Sequence, residues 1–180
     1  MKPVCMYVLF TVALTSTAVA GPAEIGFFEL GKRVEKSFHG GNPKAMRSDC
    51  YISEQQLYRL VAAANLPDAQ KKRSVQAAMT KVPSEAGLAN FIAKVKSLLE
   101  MRKIPVAECK LAHATGKVTT RNGMTFAESI DFTFMKGMKG FVLHFDMAQH
   151  ADGKWLISDG PHGWITVFGG KVPMEKIELK

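Results

Sequence analysis

KVTTRNGMTFAESIDFTFMKGMKGFVLHFDM, residues 117–147, decides the fold. Arg121-Asn122-Gly123 lies between a run ending near Thr120 and another beginning at Met124. Asn-Gly between alternating runs is a strong hairpin signal, because a two-residue turn of this kind needs positive φ at both central positions. Phe126, Ile130, Phe132 and Phe134 fall at even spacing and predict one apolar strand face. Lys136–Gly140 reads as the next turn, and Phe141, Leu143, Phe145 and Met147 alternate after it. Further on, Asp152-Gly153 turns into Lys154-Trp155-Leu156-Ile157, and a last strand is expected from Trp164 to Phe168. The expectation is an antiparallel sheet of about four strands with one strongly apolar face.

Toward the N-terminus the apolar period changes near Ile104 from two to between three and four. Glu24–Phe38 carries Ile25, Phe28, Val34 and Phe38 among charged residues, and Gly40-Gly41 ends that helix. Asn42-Pro43 opens a short helix, with Asn as cap and Pro at the first helical position. Ser53 and Gln56 have capping-box spacing for a helix running to about Ala64. Pro67-Asp68 starts another, with Val75, Ala78 and Met79 inward. Ser84 caps a long helix to about Arg102, striped by Leu88, Phe91, Ile92, Val95, Leu98 and Leu99. Helices first and an antiparallel sheet after define an α+β class. The expected organisation is one domain over residues 21–180, helical over 22–103 and sheet over 104–170.

Residues 1–20 have the three zones of a cleavable secretory signal peptide. Lys2 is followed by an apolar run from Val4 to Leu14, and Ala18-Val19-Ala20 precedes Gly21. The apolar run is shorter than the roughly 20 residues that a membrane span needs. Cleavage would remove Lys2 and lower the formal charge from +8 to +7, given 24 Lys and Arg against 16 Asp and Glu. The charges are dispersed, with Lys71-Lys72-Arg73 the longest run. They suit a solvated helix face or attraction to an anionic envelope surface. No zinc-finger spacing, arginine-rich arm or ribonucleoprotein motif is present, so nucleic acid is not an expected partner. Cleavage would also remove Cys5, leaving Cys50 and Cys109. In an oxidising compartment two thiols can form one disulfide; the alternative is two separate buried thiols.

The element order resembles the nuclear transport factor 2-like superfamily, which includes ketosteroid isomerase and SnoaL-like proteins. The local matches are an opening helix followed by Gly41-Asn42-Pro43-Lys44-Ala45 and the late hairpin Asp152-Gly153-Lys154-Trp155-Leu156-Ile157. The resemblance implies helices packed into a curved antiparallel sheet, forming a cone with a pocket. The stretch Asp68–Arg102 supplies more helix than small members carry. A cystatin-like helix-on-sheet arrangement is the structural alternative.

Three groups of residues can carry chemistry. Glu128 shares the alternating positions of Phe126, Ile130 and Phe132. On an apolar face its carboxyl would be desolvated toward general-base strength, whereas at a strand end it reaches solvent. His144 and Asp146 are two residues apart on the face opposite Phe141, Leu143 and Phe145, as a proton-transfer pair or on a wet outer face. Ser158-Asp159-Gly160-Pro161-His162-Gly163-Trp164 could rim a pocket or simply turn the chain. The candidate catalytic residues are therefore Glu128, His144 and Asp146. Candidate ligand-binding residues are Phe126, Glu128, Phe132, Asp159, His162 and Trp164. No metal site and no cofactor are expected, and no Gly-x-Ser-x-Gly, Walker or dinucleotide motif is present.

The functional expectation is an exported protein, periplasmic or secreted, that binds a protein partner or a small apolar ligand without catalysis. An enzyme resembling ketosteroid isomerase or SnoaL, using a pocket carboxylate, is the alternative. The fold class hosts both kinds of protein.

Overall fold

The structure is a computed structural model that describes residues 22–64, 66–169 and 172–179. The expected signal peptide, with Cys5, and the expected mature start at Gly21 lie outside the described residues. Five helices come first: α1 (Pro22–His39), α2 (Pro43–Cys50), α3 (Glu54–Ala63), α4 (Asp68–Met79) and α5 (Glu85–Met101). A single 3-10 turn, Val106–Glu108, leads into β1 (Lys110–Arg121), β2 (Met124–Lys136), β3 (Lys139–Ala151), β4 (Lys154–Asp159), β5 (Trp164–Gly169) and β6 (Val172–Glu178). The class is α+β. The sheet has six strands in the order β1-β2-β3-β5-β6, with β4 also paired to β3. β6, past the expected end of the sheet, is a strand that the apolar pattern did not disclose.

Local chemistry accounts for the helix starts. The Asn42 side chain accepts from the Ala45 N–H at 2.9 Å, with Pro43 in the first helical turn. Ser53 and Gln56 form the reciprocal capping box of α3. The Ser84 hydroxyl accepts from the Gly87 N–H at 3.1 Å. At the β1–β2 turn Asn122 and Gly123 have φ of 52° and 76°, and at the β3–β4 turn Asp152 and Gly153 have 49° and 75°.

The helices divide between the two faces of the sheet. α1 lies on the inner face, where Phe27, Leu30, Val34 and Phe38 are buried in one core with Phe132, Phe134, Phe141 and Phe145. Burying four such side chains is worth roughly 6–12 kcal/mol before the entropy of ordering them. α5 joins this core through Leu88, Phe91, Ile92, Val95 and Leu99. The link between α2 and α3 then rounds the edge of β4: Tyr51 bridges Ile157, and the Ile52 N–H donates to the Ile157 carbonyl at 2.9 Å. This carries α3 and α4 to the other face. There Leu57, Val61 and Val75 pack with Leu156 and Ala151 in a second, smaller core.

One expected alternation breaks. On β2 the buried positions are Ala127, then Ile130, Phe132 and Phe134, so the inward step across Ser129 is three residues. Ser129 has φ 53°. Against β1 the register shifts in this region, as one extra β2 residue must be accommodated. β3 makes the matching break: after Phe145 the next core position is Ala148, not Met147. Extra residues on both strands keep the β2–β3 register continuous, with Glu128 opposite Met147 and Ile130 opposite Phe145. Phe126 and Glu128 therefore face the outer side, away from Ile130 and Phe132. Even spacing in the sequence does not preserve a face across a bulge.

Cys50 and Cys109 are both buried and both free. The expected disulfide is not formed. Each sulfur packs as a small apolar side chain in the main core, and burial pushes the Cys50 thiol up to about 12. A chain starting at Gly21, and so without Cys5, purified without reductant should therefore yield two thiols in denaturant and almost none before unfolding; a thiol count of zero in denaturant would contradict the free pair.

α1 approaches the sheet closely because two of its residues lack Cβ. A Cβ on Gly26 would lie 2.6 Å from Trp155 Cδ1, and one on Gly31 would lie 2.7 Å from Leu111 Cδ2 and 2.9 Å from Phe132 Cδ1. Helix propensity alone favours Gly31→Ala by about 1 kcal/mol. Overpacking costs about 1–3 kcal/mol. Gly31→Val, with two further methyl groups and poor helix propensity, should lower the urea midpoint clearly while leaving the slope unchanged; an unaltered midpoint would mean that α1 is not held this closely.

Candidate functional site

Two places gather chemistry-bearing side chains. The first is a fork in the sheet. β3 pairs with β5 through residues 139–143 and with β4 through residues 147–151, with Met147 opposite Asp159. Between the two pairings the loop 160–163 serves the β3 edge. The His162 N–H donates to the His144 carbonyl at 2.9 Å. The Tyr51 hydroxyl donates to the Gly160 carbonyl at 3.1 Å, and the Leu179 N–H donates to the Gly163 carbonyl at 2.7 Å. Lys81 Nζ meets Asp159 Oδ2 at 2.6 Å, and that hydrogen bond with its charge raises the Lys81 ammonium above its ordinary value.

Side chains on the outer face cross the strands at this fork. His144 Nδ1 lies 2.7 Å from Asp131 Oδ1, and Nε2 lies 2.9 Å from Thr166 Oγ1. A carboxylate only accepts, so Nδ1 carries the proton; in the neutral ring Nε2 then accepts from the Thr166 hydroxyl. The Trp164 ring stacks 4.0 Å from His144, and Lys176 Nζ sits 4.2 Å from the Trp164 ring centre. Asp146 does not meet His144; it pairs with His162 Nε2 at 3.1 Å. A carboxylate, an imidazole and a hydroxyl in line can relay a proton. Thr166 is only 8% exposed, however, and none of the four clefts described on the molecule is lined by Asp131, His144 or Thr166. The row is a satisfied network that ties β2, β3 and β5 together.

The six residues expected to bind a ligand do not converge. Phe132 is fully buried on the inner face, 5.5 Å from Phe145. Glu128 and Asp159 flank Met147 in one cross-strand row on the outer face, and His162 and Trp164 lie at the fork. Phe126 is half-buried beside Arg121, 5.7 Å from its ring. Glu128 is half-buried, opposite Lys117 and Met147, and lines none of the four clefts. Asp131 and Thr166, central to the row, carried no signal in the sequence: their partners come from other strands.

The second place is a half-open cleft of about 380 Å³ at the C-terminal end of α1. His39, the last residue of α1, forms one wall; Lys96 and Glu100 of α5 form another; the chain from Ile104 to Glu108 forms the third. Lys96 Nζ donates to the His39 carbonyl at 3.0 Å, satisfying a helix-end acceptor, and lies over the Phe38 ring. His39 Nε2 is buried and has no hydrogen-bond partner among the described residues. Burial pushes the His39 imidazole below its ordinary value of 6.5; Glu35 opposes this, and Lys110, Lys96 and Lys32 reinforce it. The ring is thus neutral near pH 7. A lone histidine at a helix end had no distinguishing pattern in the sequence.

The fold and these sites define an α+β protein with a filled inner sheet face and a lateral cleft. No known family, curated protein or solved structure matches the chain. Among the described residues no helix is long and apolar enough to cross a membrane, and no group of three or more His, Cys, Asp or Glu is placed to hold a metal ion.

Two outcomes follow from this geometry. His144→Ala leaves the Thr166 hydroxyl and Asp131 without their partner, which should cost about 1–3 kcal/mol in chemical denaturation. Combined with Asp131→Asn it should be non-additive by at least about 0.5 kcal/mol; strict additivity would show that the row is not coupled. For His39 the folded value lies below the unfolded one, so the unfolded chain binds the extra proton first. Stability should fall as pH drops below about 6.5, and His39→Gln should flatten that part of the profile. An unchanged profile in the variant would contradict the burial of a neutral ring.

Proposed function

We propose that the mature chain is an exported, non-catalytic binding protein of nuclear transport factor 2-like build, periplasmic or secreted, whose ligand seat is the His39 cleft. One observation carries this: His39, whose buried Nε2 has no hydrogen-bond partner among the described residues, is part of the lining of a half-open, largely apolar cleft. Buried polar atoms are satisfied in most native sites, and an orphan on a residue beside a cleft is the kind of atom that a ligand entering there with a small ring rotation would complete. The seat differs from the cone-like pocket expected of the sheet, because Phe27, Leu30, Val34 and Phe38 of α1 occupy the inner face. Export rests on residues 1–20, whose charged start, apolar run and Ala-x-Ala exit suit signal peptidase. A proton-transfer enzyme built on Glu128 has less support, since that carboxylate sits on the outer face.

Expression with the native N-terminus in a secretion-competent host tests both parts. N-terminal sequencing should begin at Gly21, and native mass spectrometry of the exported protein should show a small-molecule adduct that His39→Phe abolishes. A cytoplasmic product retaining Met1 would overturn export. An adduct indifferent to His39→Phe, or a protein partner as the sole cargo, would overturn the cleft as the seat.

A further inference from the structure

The net positive charge, dispersed along the sequence, collects at one end of the fold. Lys110 of β1 adjoins this end opposite Met135, and Lys136 stands opposite Lys139 across the β2–β3 turn. Lys139 pairs in turn with Gly169, and Gly169 with Val172, so the end of β5 and the start of β6 lie beside that turn. Arg102, just past α5, holds Glu175 of β6 at 3.0 and 3.1 Å. Lys96 Nζ reaches the carbonyl of His39, the last residue of α1, and a Cβ on Gly41 would lie 3.3 Å from it, which puts the start of α2 at the same end. Over residues 35–44, 96–110, 136–139 and 169–175 the described chain carries eight Lys and Arg against four Glu. Lys36 and Lys44 flank the junction of α1 and α2. Lys96, Arg102 and Lys103 follow along α5, and Lys110, Lys136 and Lys139 come from the strands. Of the carboxylates, Glu35, Glu108 and Glu175 are each bound by a lysine or arginine, and Glu100 stands one turn along α5 from Lys96. All the other described residues together hold thirteen Lys and Arg against twelve Asp and Glu, so this end holds most of the excess.

The same end bears the three most exposed large apolar side chains among the described residues: Met101 at 72%, Met138 at 79% and Met174 at 72%. The next, Tyr58, is 42% exposed. Met101 precedes Arg102-Lys103, Met138 lies between Lys136 and Lys139, and Met174 precedes Glu175, which Arg102 neutralises. A small cleft at this end is lined by Arg102 and Lys139 with Ile104, Val167 and Phe168, and by no carboxylate.

From this placement we propose that the end docks on an anionic lipid surface, with the three methionines entering the headgroup layer and the cations facing lipid phosphates. Basic groups are drawn to anionic leaflets, and apolar side chains among them add to the hold. Seven of the eight cations are lysine. Lysine is depleted in protein–protein interfaces, whereas a bilayer accepts a diffuse set of compact point charges. Methionine is unbranched and flexible, so separate protruding methionines adapt to a fluid layer without a rigid matching pocket. The proposal does not depend on the His39 cleft, which lies at the same end, holding a ligand.

The test uses the chain from Gly21, because the apolar run within residues 1–20 would itself partition into lipid; every described element begins at Pro22 or later. Binding is read by co-sedimentation with vesicles of phosphatidylglycerol and phosphatidylcholine, and with vesicles of phosphatidylcholine alone. The mixed vesicles should bind at least about tenfold more tightly at low salt, and added salt should shrink the difference. Lys103→Gln with Lys139→Gln removes two exposed cations that enter none of the ion pairs named above. This pair should weaken binding roughly twentyfold, about fivefold for each charge. Lys72→Gln with Arg73→Gln, the same charge change on exposed residues of α4, should leave it within about twofold. Met138→Ser, at a side chain too exposed to matter for folding, should weaken it at least about threefold. Equal loss in the two double variants would show that total charge, not this end, governs binding, and would overturn the proposal. Absence of binding to the mixed vesicles would overturn it too. Polyglutamate bound as tightly as the vesicles, with Met138→Ser without effect on either, would assign the end to an acidic protein and overturn the lipid.

Discussion

The closeness of α1 to the sheet is the constraint on which the other features depend. Gly26 and Gly31 remove the two Cβ atoms that would meet Trp155, Leu111 and Phe132, so the helix can lay Phe27, Leu30, Val34 and Phe38 into the inner face. Arg33 secures the same helix from its flank, donating to the Trp155 carbonyl at 2.7 Å and the Asp49 carbonyl at 2.8 Å. With α1 seated there, its apolar side chains fill that part of the inner face. One half-open cleft lies at its C-terminal end, where Gly40-Gly41 stops the helix and Lys96 of α5 donates to the His39 carbonyl.

The paired break at Ser129 and across Asp146–Met147 has a comparable reach. An extra residue on each of two neighbouring strands turns both outward without disturbing their mutual register. On one side of the break Ile130, Phe132, Phe134, Phe141, Leu143 and Phe145 point inward; on the other Ala127 and Ala148 do. β3 also exchanges partners at this point, from β5 to β4. The loop 160–163 fills the gap through backbone hydrogen bonds, and the Asp131–His144–Thr166 row ties the strands beside it. Cluster and fork are one feature: the polar side chains stand where strand pairing changes hands.

Much of the fold was legible in the sequence. The caps at Asn42, Ser53 and Ser84, the stripe from Leu88 to Leu99 and the turns at Asn122-Gly123 and Asp152-Gly153 are local, and each is written in residues within a few positions of one another. The apparent face of Glu128 misled because two-residue spacing was carried through Ser129, and nothing in that serine announces a positive φ. The disulfide expectation failed for a related reason. Counting thiols limits the possible bonds, but whether two thiols meet is set by the placement of α2, which ends at Cys50, and of the turn before β1, which leads to Cys109. Of the candidate site, the sequence offered His144 with Asp146 and, separately, the loop from Ser158 to Trp164; in the structure His144 meets Asp131 and Asp146 meets His162 of that loop. His39 and Lys96, far apart in the chain and ordinary in context, were not singled out at all.

By itself, then, the sequence determined the order of elements, the α+β class, most turns and caps, and the residues available for chemistry, because helix stripes, strand alternation and turn conformations are short-range consequences of side-chain shape. Tertiary structure alone decided which face each helix covers, where β3 changes partners, that Cys50 and Cys109 stay unbonded, and that a cleft forms beside His39. Those outcomes depend on contacts between residues tens of positions apart, such as Arg33 with Trp155, Lys96 with His39 and Tyr51 with Gly160. No local pattern encodes such contacts, because their geometry exists only once the chain has closed on itself.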